Sequence, residues 1–225
     1  MPCIIKTKIK RANKMIIKGF KNVPTTIISD CMNRMNCMHA GMKSLISDVK
    51  MVGSAITVQC ISGSNLMSHK AIYLAQAGDV IVVDARGDVN TAVWGYVQTF
   101  ACMQRKISGV VIDGSVRDSQ EVRKHRYPLF CKGISPAGPH KGWPDNINVT
   151  ISCAGVSVSP GDIIVGDDDG IVVVPLESAS KVLKLCYHRM ATEEKWLREI
   201  KKGKTSLVVI GLDKKIKDLG VENSG

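Results

Sequence analysis

The stretch Val110-Val-Ile-Asp-Gly-Ser-Val-Arg-Asp118 joins an apolar run to a charged pair. Its first part predicts a buried β-strand that ends at Asp113, after which Gly114 permits a tight turn. Arg117 and Asp118 would then lie at the mouth of the sheet, where the ligands of open α/β sheets collect. The planar guanidinium suits a carboxylate or enolate, and the aspartate supplies the hard oxygen that Mg²⁺ prefers. A surface pair in which Asp118 merely caps a helix is the alternative.

Apolar strands and helical segments alternate on both sides of this stretch. Strands are predicted at 53–60, 79–84 and 109–113, and helices at 66–77, 92–105 and 118–125. A further helix is predicted from Thr25, as its cap, with an apolar side formed by Ile27, Ile28, Cys31 and Met35. Four close-set strands follow at 147–152, 155–158, 162–165 and 171–174, and a long helix at about 178–202. This order predicts a single-domain α/β fold, layered around a mixed sheet.

Length and composition fit a cytoplasmic protein. The 225 residues, 44% of them hydrophobic, are enough to bury a core. No apolar run approaches the ~18 residues that span a bilayer, and basic residues interrupt the N-terminus where a secretory signal would be apolar. The eight cysteines lack Cys-x-x-Cys spacing, so we expect buried, reduced thiols instead of a zinc site.

The net charge of +11 is uneven, with seven Lys or Arg in the first 21 residues. Such charge permits attraction to nucleic acid, acidic lipid or anionic metabolites, although a solvated surface is the simpler interpretation. Binding of nucleic acid is not expected, because only 4% of residues are aromatic and could stack on bases. The acidic run Gly166-Asp-Asp-Asp-Gly170 predicts a hairpin turn in preference to a cation site, and the five histidines show no ligand spacing.

The sequence resembles the ribonuclease-activity-regulator A-like family, which includes 4-hydroxy-4-methyl-2-oxoglutarate aldolase. The resemblance covers about residues 24–205. It rests on Thr26-Ile-Ile-Ser-Asp30, Gly53-Ser-Ala-Ile-Thr57, Asn65-Leu-Met67, 77–84, Ala92-Val-Trp-Gly95, 109–118, Pro136-Ala-Gly-Pro139, Ile147-Asn-Val149 and 160–175. We accordingly divide the chain into a basic N-terminal extension (1–23), a family domain (24–205) and a C-terminal tail (206–225).

The resemblance implies a β/β/α swivelling-type fold, similar to phosphohistidine domains, assembled as a homotrimer or hexamer with sites between subunits. It implies that Arg117 holds a pyruvate moiety and that Asp118 binds Mg²⁺ or Mn²⁺, largely through water. Backbone amides of Gly95, Tyr96, Val97 and Gln98 would meet the substrate carboxylate. Glu193 of a neighbouring subunit, with Glu194 close behind, would support the metal-bound water.

One position departs from the aldolases, because Tyr96 stands where they carry an acidic residue. Our leading hypothesis is nevertheless a metal-dependent lyase that releases pyruvate from a small anionic 4-hydroxy-2-oxo acid through a stabilised enolate, with oxaloacetate decarboxylation as a side activity. The alternative is a non-catalytic regulator that binds an RNA-processing enzyme or another protein. The basic termini and Tyr96 favour the regulator, whereas the intact Arg117-Asp118 pair favours the enzyme.

Overall fold

A mixed sheet organises the chain in the computed structural model, which describes residues 3–221. The strands in the described residues are β1 (Lys43–Ser44), β2 (Met51–Gln59), β3 (Val80–Asp84), β4 (Ala92–Trp94), β5 (Gly109–Val116), β6 (Leu129–Ile134), β7 (Ile151–Cys153), β8 (Val156–Val158), β9 (Ile163–Asp167) and β10 (Gly170–Val174). The helices are α1 (Lys14–Phe20), α2 (Thr25–Cys31), α3 (Leu66–Leu74), α4 (Tyr96–Gln104), α5 (Ser119–Lys124), α6 (Ala179–Lys201), α7 (Ser206–Ile210) and α8 (Leu212–Asp218). This confirms the predicted single-domain α/β fold with a mixed sheet.

The strand order is β1-β6-β5-β3-β2-β9-β10, and β4 also pairs with β5. The central pairs β2–β3, β3–β5, β4–β5 and β5–β6 are parallel, whereas β1–β6, β2–β9 and β9–β10 are antiparallel. β7 and β8 form a separate antiparallel hairpin. The parallel strands β4 and β5 therefore end side by side, each followed directly by a helix.

Both faces of the central sheet are buried. Ile81 and Val83 of β3 belong to an apolar cluster beneath α3, α4 and α5, whereas Val80 and Val82 belong to a second cluster beneath the β7–β8 hairpin. This alternation follows from the two-residue period of a strand, and burial on both faces is typical of parallel sheets. A third cluster lies between β9–β10 and the helices α1, α2 and α6.

The basic segment before residue 24 packs against the rest of the fold. Phe20 and Val23 are fully buried in the third cluster. Arg11 donates to both oxygens of the buried carboxylate of Asp79, from Nε to Oδ1 at 2.9 Å and from Nη2 to Oδ2 at 2.8 Å. Ile147 donates its N–H to the Ile4 carbonyl at 2.9 Å, so the first residues lie beside a segment far away in sequence.

Sequence-based expectations about local structure were wrong at three places before residue 120, and the strand predicted at 147–152 begins only at Ile151. The strand does not end at Asp113, because β5 continues through the buried Gly114 to Val116 and pairs there with β4 and β6. Residues 92–94 are not helical, since they form β4 against β5. Thr25 does not cap α2; its N–H and hydroxyl both donate to Asp167, at 2.8 and 2.5 Å, and Pro24 takes the cap position.

The acidic run after β9 forms the predicted hairpin turn. Gly170 is the register partner of Asp167, which leaves Asp168 and Asp169 in the turn between β9 and β10. Asp168 accepts hydrogen bonds from the N–H groups of Asp48 and Val49, at 3.0 and 3.3 Å. Across residues 3–221, no helix is long and apolar enough to span a membrane.

Candidate functional site

Two strand-to-helix turns lie against each other at the ends of β4 and β5. Gly95 links β4 to α4, and Arg117 with Asp118 links β5 to α5. The Arg117 N–H donates to the Trp94 carbonyl at 2.9 Å, which ties the two turns together. The structure thus brings Gly95 against Arg117 and Asp118, which lie in a different turn of the chain.

Position 95 has no room for a side chain, which accounts for the glycine there. A Cβ there would lie 2.6 Å from Asp118 Oδ2 and 3.1 Å from Arg117 Cγ, both inside normal contact distance. Its φ of −155° is ordinary extended backbone that any residue adopts. The missing side chain is therefore what allows the arginine and the aspartate to lie against the start of α4.

Asp118 is held by the neighbouring turn and not by its own helix. Its φ of 55° lies in the left-handed region, which aspartate tolerates better than most residues, and its side chain makes no capping bond to α5. Asp118 Oδ2 instead accepts the Tyr96 N–H at 3.0 Å and lies 3.8 Å from Arg117 Nε. Among the described residues, no hydrogen bond reaches the other oxygen of this half-exposed carboxylate. Asp118 thus occupies the N-cap position of α5, as the alternative interpretation expected, but its side chain does not cap the helix.

These residues border a cavity of about 240 Å³. Its lining consists of Asn65, His69, Trp94, Gly95, Val97, Gln98, Arg117, Asp118, Pro139 and Lys141. Drug-sized ligands occupy pockets of roughly 300–1,000 Å³, so this cavity suits a smaller metabolite. Arg117 and Lys141 give it two positive charges against the one negative charge of Asp118, which favours an anionic ligand.

One wall of the cavity is a polar network between α3 and α4. Asn65 Nδ2 donates to Gln98 Oε1 at 3.2 Å, and Gln98 Nε2 donates to Ser68 Oγ at 2.7 Å. Asn65 is 4% exposed, yet its Oδ1 has no hydrogen-bond partner among the described residues. An unsatisfied buried oxygen costs free energy, so this wall is suited to a ligand that donates a hydrogen bond.

The four residues predicted to offer backbone amides have different surroundings. The Tyr96 N–H already donates to Asp118. Val97 and Gln98 occupy the first turn of α4, where the N–H groups of a helix have no partner within the helix and attract anions. Gly95 precedes the helix and lines the cavity with them. Their contact with a substrate carboxylate stays a prediction.

The side chain of Tyr96 turns away from the cavity. Its hydroxyl lies 2.8 Å from His125 Nε2, and the two rings are stacked with their centroids 5.4 Å apart. His125 follows α5, so this pair connects the start of α4 to the end of α5. Tyr96 therefore supplies neither a carboxylate nor its hydroxyl to the cavity in this arrangement.

Glu193 lies elsewhere in the subunit. It accepts a hydrogen bond from Arg189 Nε at 2.9 Å on α6, and Arg189 Nη2 lies 3.5 Å from Asp30 Oδ2. It is not among the residues that line the cavity, so its predicted role depends on a neighbouring subunit. Within residues 3–221, no cluster of three or more His, Cys, Asp or Glu side chains could hold a metal ion. The single carboxylate of Asp118, with one oxygen available, still fits Mg²⁺, which commonly uses one or two protein carboxylates and retains water.

His69 was missed by the sequence analysis, which found no ligand spacing among the histidines. It lies on α3, one turn after Asn65, and lines the cavity. Burial, followed by the positive charge of Lys141, lowers the pKa of its imidazole below the usual 6.5. The i, i+4 spacing of Asn65 and His69 would have placed both on one face of a helix that starts at the recognised Asn65-Leu-Met67 motif.

Comparisons with known proteins agree on one family. The profile of the RraA-like family, described as Aldolase/RraA, matches residues 25–173. A Halalkalibacterium halodurans protein, named provisionally as a 4-hydroxy-4-methyl-2-oxoglutarate aldolase, is 40% identical over 178 residues, which are 79% of this chain and 85% of that protein. The 4-hydroxy-4-methyl-2-oxoglutarate aldolase of Thermus thermophilus is 27% identical over 67% of this chain and 92% of its own length. The crystal structure of Streptomyces coelicolor RraAS2, an unusual member of the RNase ES inhibitor RraA protein family, aligns with a TM-score of 0.77 and 26% identity over 83% of this chain and 98% of that chain.

Proposed function

Because the chain belongs to the RraA-like family, we propose that it is a lyase that cleaves small anionic 4-hydroxy-2-oxo acids to pyruvate. The observation that carries this proposal is the placement of Arg117 and Asp118 together at one cationic cavity. Relatives named as 4-hydroxy-4-methyl-2-oxoglutarate aldolases support the choice of reaction. Oxaloacetate decarboxylation is proposed as a side activity, since it passes through the same pyruvate enolate.

The residues of the cavity suit the binding of a dianionic substrate. The unpaired amides of Val97 and Gln98 would hold the carboxylate beside the ketone. Arg117 would donate hydrogen bonds to the ketone oxygen and stabilise the negative charge that develops there when the carbon–carbon bond breaks. Lys141 would attract the second carboxylate, which the 4-hydroxy-2-oxo diacids carry.

Mg²⁺ or Mn²⁺ is the proposed cofactor, and Asp118 is the residue that would hold it. A divalent cation there would supply positive charge next to the oxygens of the substrate. Tyr96 keeps Asp118 in position through its backbone N–H. This group does not depend on the side chain, so a tyrosine supplies it just as an acidic residue would. The change at position 96 thus removes a carboxylate from the site without removing this contact.

We further propose that the active protein is a homo-oligomer, with Glu193 contributed from a neighbouring subunit. Two apolar side chains on α4 are exposed beside the cavity, Val97 at 75% and Phe100 at 46%. Exposed apolar groups next to a site suit an interface between subunits. A trimer or a hexamer in solution would support the proposal.

The second candidate is a regulator that binds an RNA-processing enzyme without catalysis. Two observations favour it. Because Tyr96 replaces the acidic residue of the aldolases, the cavity lacks that carboxylate. The similar Streptomyces coelicolor protein is described as a member of an RNase inhibitor family. The two candidates differ in turnover, which a regulator does not require.

The test is pyruvate release from 4-hydroxy-4-methyl-2-oxoglutarate and from oxaloacetate, with Mg²⁺ and with a chelator. We expect turnover that the chelator abolishes and that falls by at least about 10²–10³-fold in Arg117→Ala, because the enolate loses its main donor. Arg105→Ala is the matched control, since Arg105 follows the far end of α4 and donates to the carbonyls of Tyr73 and Ala75. Full activity of Arg117→Ala would contradict the assignment, and a folded protein without turnover on either substrate would favour the regulator.

A further inference from the structure

We propose that His69 is the general base that removes the proton from the C4 hydroxyl of the substrate. This inference rests on the proposed function and assigns a residue to a step that the function requires. Cleavage of a 4-hydroxy-2-oxo acid cannot begin without loss of that proton, because the C4 oxygen must become a carbonyl. The site as described so far supplies donors for the enolate but no group for this proton.

The geometry places His69 at the same cavity as the enolate-stabilising groups. Asn65 precedes α3 as its N-cap residue and His69 lies in the first turns of the helix, and both line the cavity with Gly95, Arg117 and Asp118. Asn65 Nδ2 donates to Gln98 Oε1 at 3.2 Å, which fixes this wall against α4. Asn65 Nδ2 also lies 3.4 Å from His69 Nε2, a longer contact that the substrate hydroxyl must replace before Nε2 can accept its proton. The buried Asn65 Oδ1 has no partner among the described residues, so it adds an unused acceptor to the wall beside His69.

The surroundings of His69 keep its imidazole neutral near pH 7. Burial disfavours the charged form, and Lys141 adds electrostatic repulsion, so the pKa is lowered. The other charged groups at the cavity are Arg117 and Asp118 after β5, and α4 contributes the neutral Gln98. A neutral imidazole can accept a proton at physiological pH, which is what a general base requires.

The other titratable side chains at or near the site fit this role less well. Tyr96 and His125 are hydrogen-bonded to each other and do not line the cavity. Lys141 increases the positive charge of the cavity and suits the second carboxylate. Asp118 is the proposed metal ligand. Among the described residues that line the cavity, His69 is thus the one imidazole available as a base.

The step balances in protons and electrons. The imidazole takes the hydroxyl proton, and the O–H electron pair forms the new carbonyl at C4. The C3–C4 bond breaks, its electrons form the C2–C3 double bond of the enolate, and the negative charge develops on the ketone oxygen beside Arg117. The imidazolium then returns the proton to C3 of the enolate, which yields pyruvate and regenerates neutral His69.

Oxaloacetate can serve as a substrate that tests the role of His69 separately from the stabilisation of the enolate. Its decarboxylation forms the same enolate by loss of CO₂ and involves no hydroxyl proton. We therefore expect His69→Gln to lower kcat for 4-hydroxy-4-methyl-2-oxoglutarate by about 10²–10⁴-fold, while oxaloacetate decarboxylation stays within about threefold of wild type. Retained decarboxylation also shows that the variant is folded. Added imidazole should restore part of the cleavage activity in His69→Ala, and His188→Gln, on the exposed face of α6, should match wild type.

The outcomes distinguish the two proposals. Equal losses on both substrates, or no loss on either, would overturn the role of His69 and leave the lyase assignment intact. If the wild-type protein turns over neither substrate, the proposed function and this inference are both wrong. Cleavage lost with decarboxylation retained, together with rescue by imidazole, would establish His69 as the base.

Discussion

Replacement of Gly95 by alanine tests whether the close approach of the two turns creates the site. The new Cβ would lie 2.6 Å from Asp118 Oδ2, whereas an ordinary contact begins at about 3.4 Å. The carboxylate must therefore retreat by roughly 0.8 Å, which weakens its hydrogen bond from the Tyr96 N–H. Because the φ of Gly95 is ordinary, the backbone adds no strain and the effect falls on the site.

A misplacement of about 1 Å at a catalytic group costs about 10²-fold in rate, so we expect kcat/KM to fall by about that factor. The assay is pyruvate release from oxaloacetate. Titration calorimetry with oxalate, a stable mimic of the pyruvate enolate, should show a parallel loss of affinity. Gly142→Ala is the matched control, since its Cβ would meet only His140, at 3.8 Å. Activity and oxalate affinity within about threefold of wild type in Gly95→Ala would refute the reasoning.

Two further predictions concern the remainder of the fold. Burial alone would raise the pKa of Asp167, but hydrogen bonds from Thr25 and the charge of Lys50 outweigh it and lower that pKa. A pKa that is lower in the folded protein stabilises the fold at pH values above the unfolded pKa of about 3.8. Asp167→Asn should thus lower the free energy of unfolding, measured in urea at pH 7, by about 1–3 kcal/mol. The difference in stability between wild type and variant should shrink near pH 3. A difference that does not change with pH would contradict an origin in the lowered pKa. Burial raises the pKa of the Cys60 thiol to about 12, so a thiol reagent at pH 8 should modify the exposed Cys37 quickly and Cys60 only as the protein unfolds; equal rates would disprove the burial argument.

The sequence predicted the central strands because their apolar runs carry the signal locally. Residues 79–84 consist of β-branched residues bounded by polar ones, and the strand β3 (Val80–Asp84) lies within them. The pairing of Arg117 with Asp118 at the end of a strand was also correctly located, because the sequence order alone puts it there. The turn from β4 to α4 was not located, since the three residues of β4 become a strand only through pairing with β5.

The remaining errors have the same physical origin. Asp113 and Gly114 suggested a turn because they are polar or flexible, but Asp113 is buried and accepts a hydrogen bond from the Ala154 N–H at 2.6 Å. Gly114 allows the backbone of Asp88 to approach, since a Cβ there would lie 2.9 Å from the Asp88 carbonyl oxygen. His69 likewise lies beside Lys141 only because a loop far along the chain reaches the same cavity. The structure at each of these positions depends on contacts between residues that are distant in the sequence, and a local sequence pattern cannot predict such contacts.

The position of the N-terminal segment has a consequence for biosynthesis. Residues 4–11 are synthesised before their partners, which include Ile147 and Asp79. At about 5–20 residues per second, roughly 7–30 s pass before residue 147 is made. The parallel core strands β2, β3, β5 and β6 are complete by residue 134, whereas β9, which pairs with β2, follows later. Residues 4–6 thus stay without their hydrogen-bond partner until residue 147 has been made, whereas Arg11 can reach Asp79 much earlier.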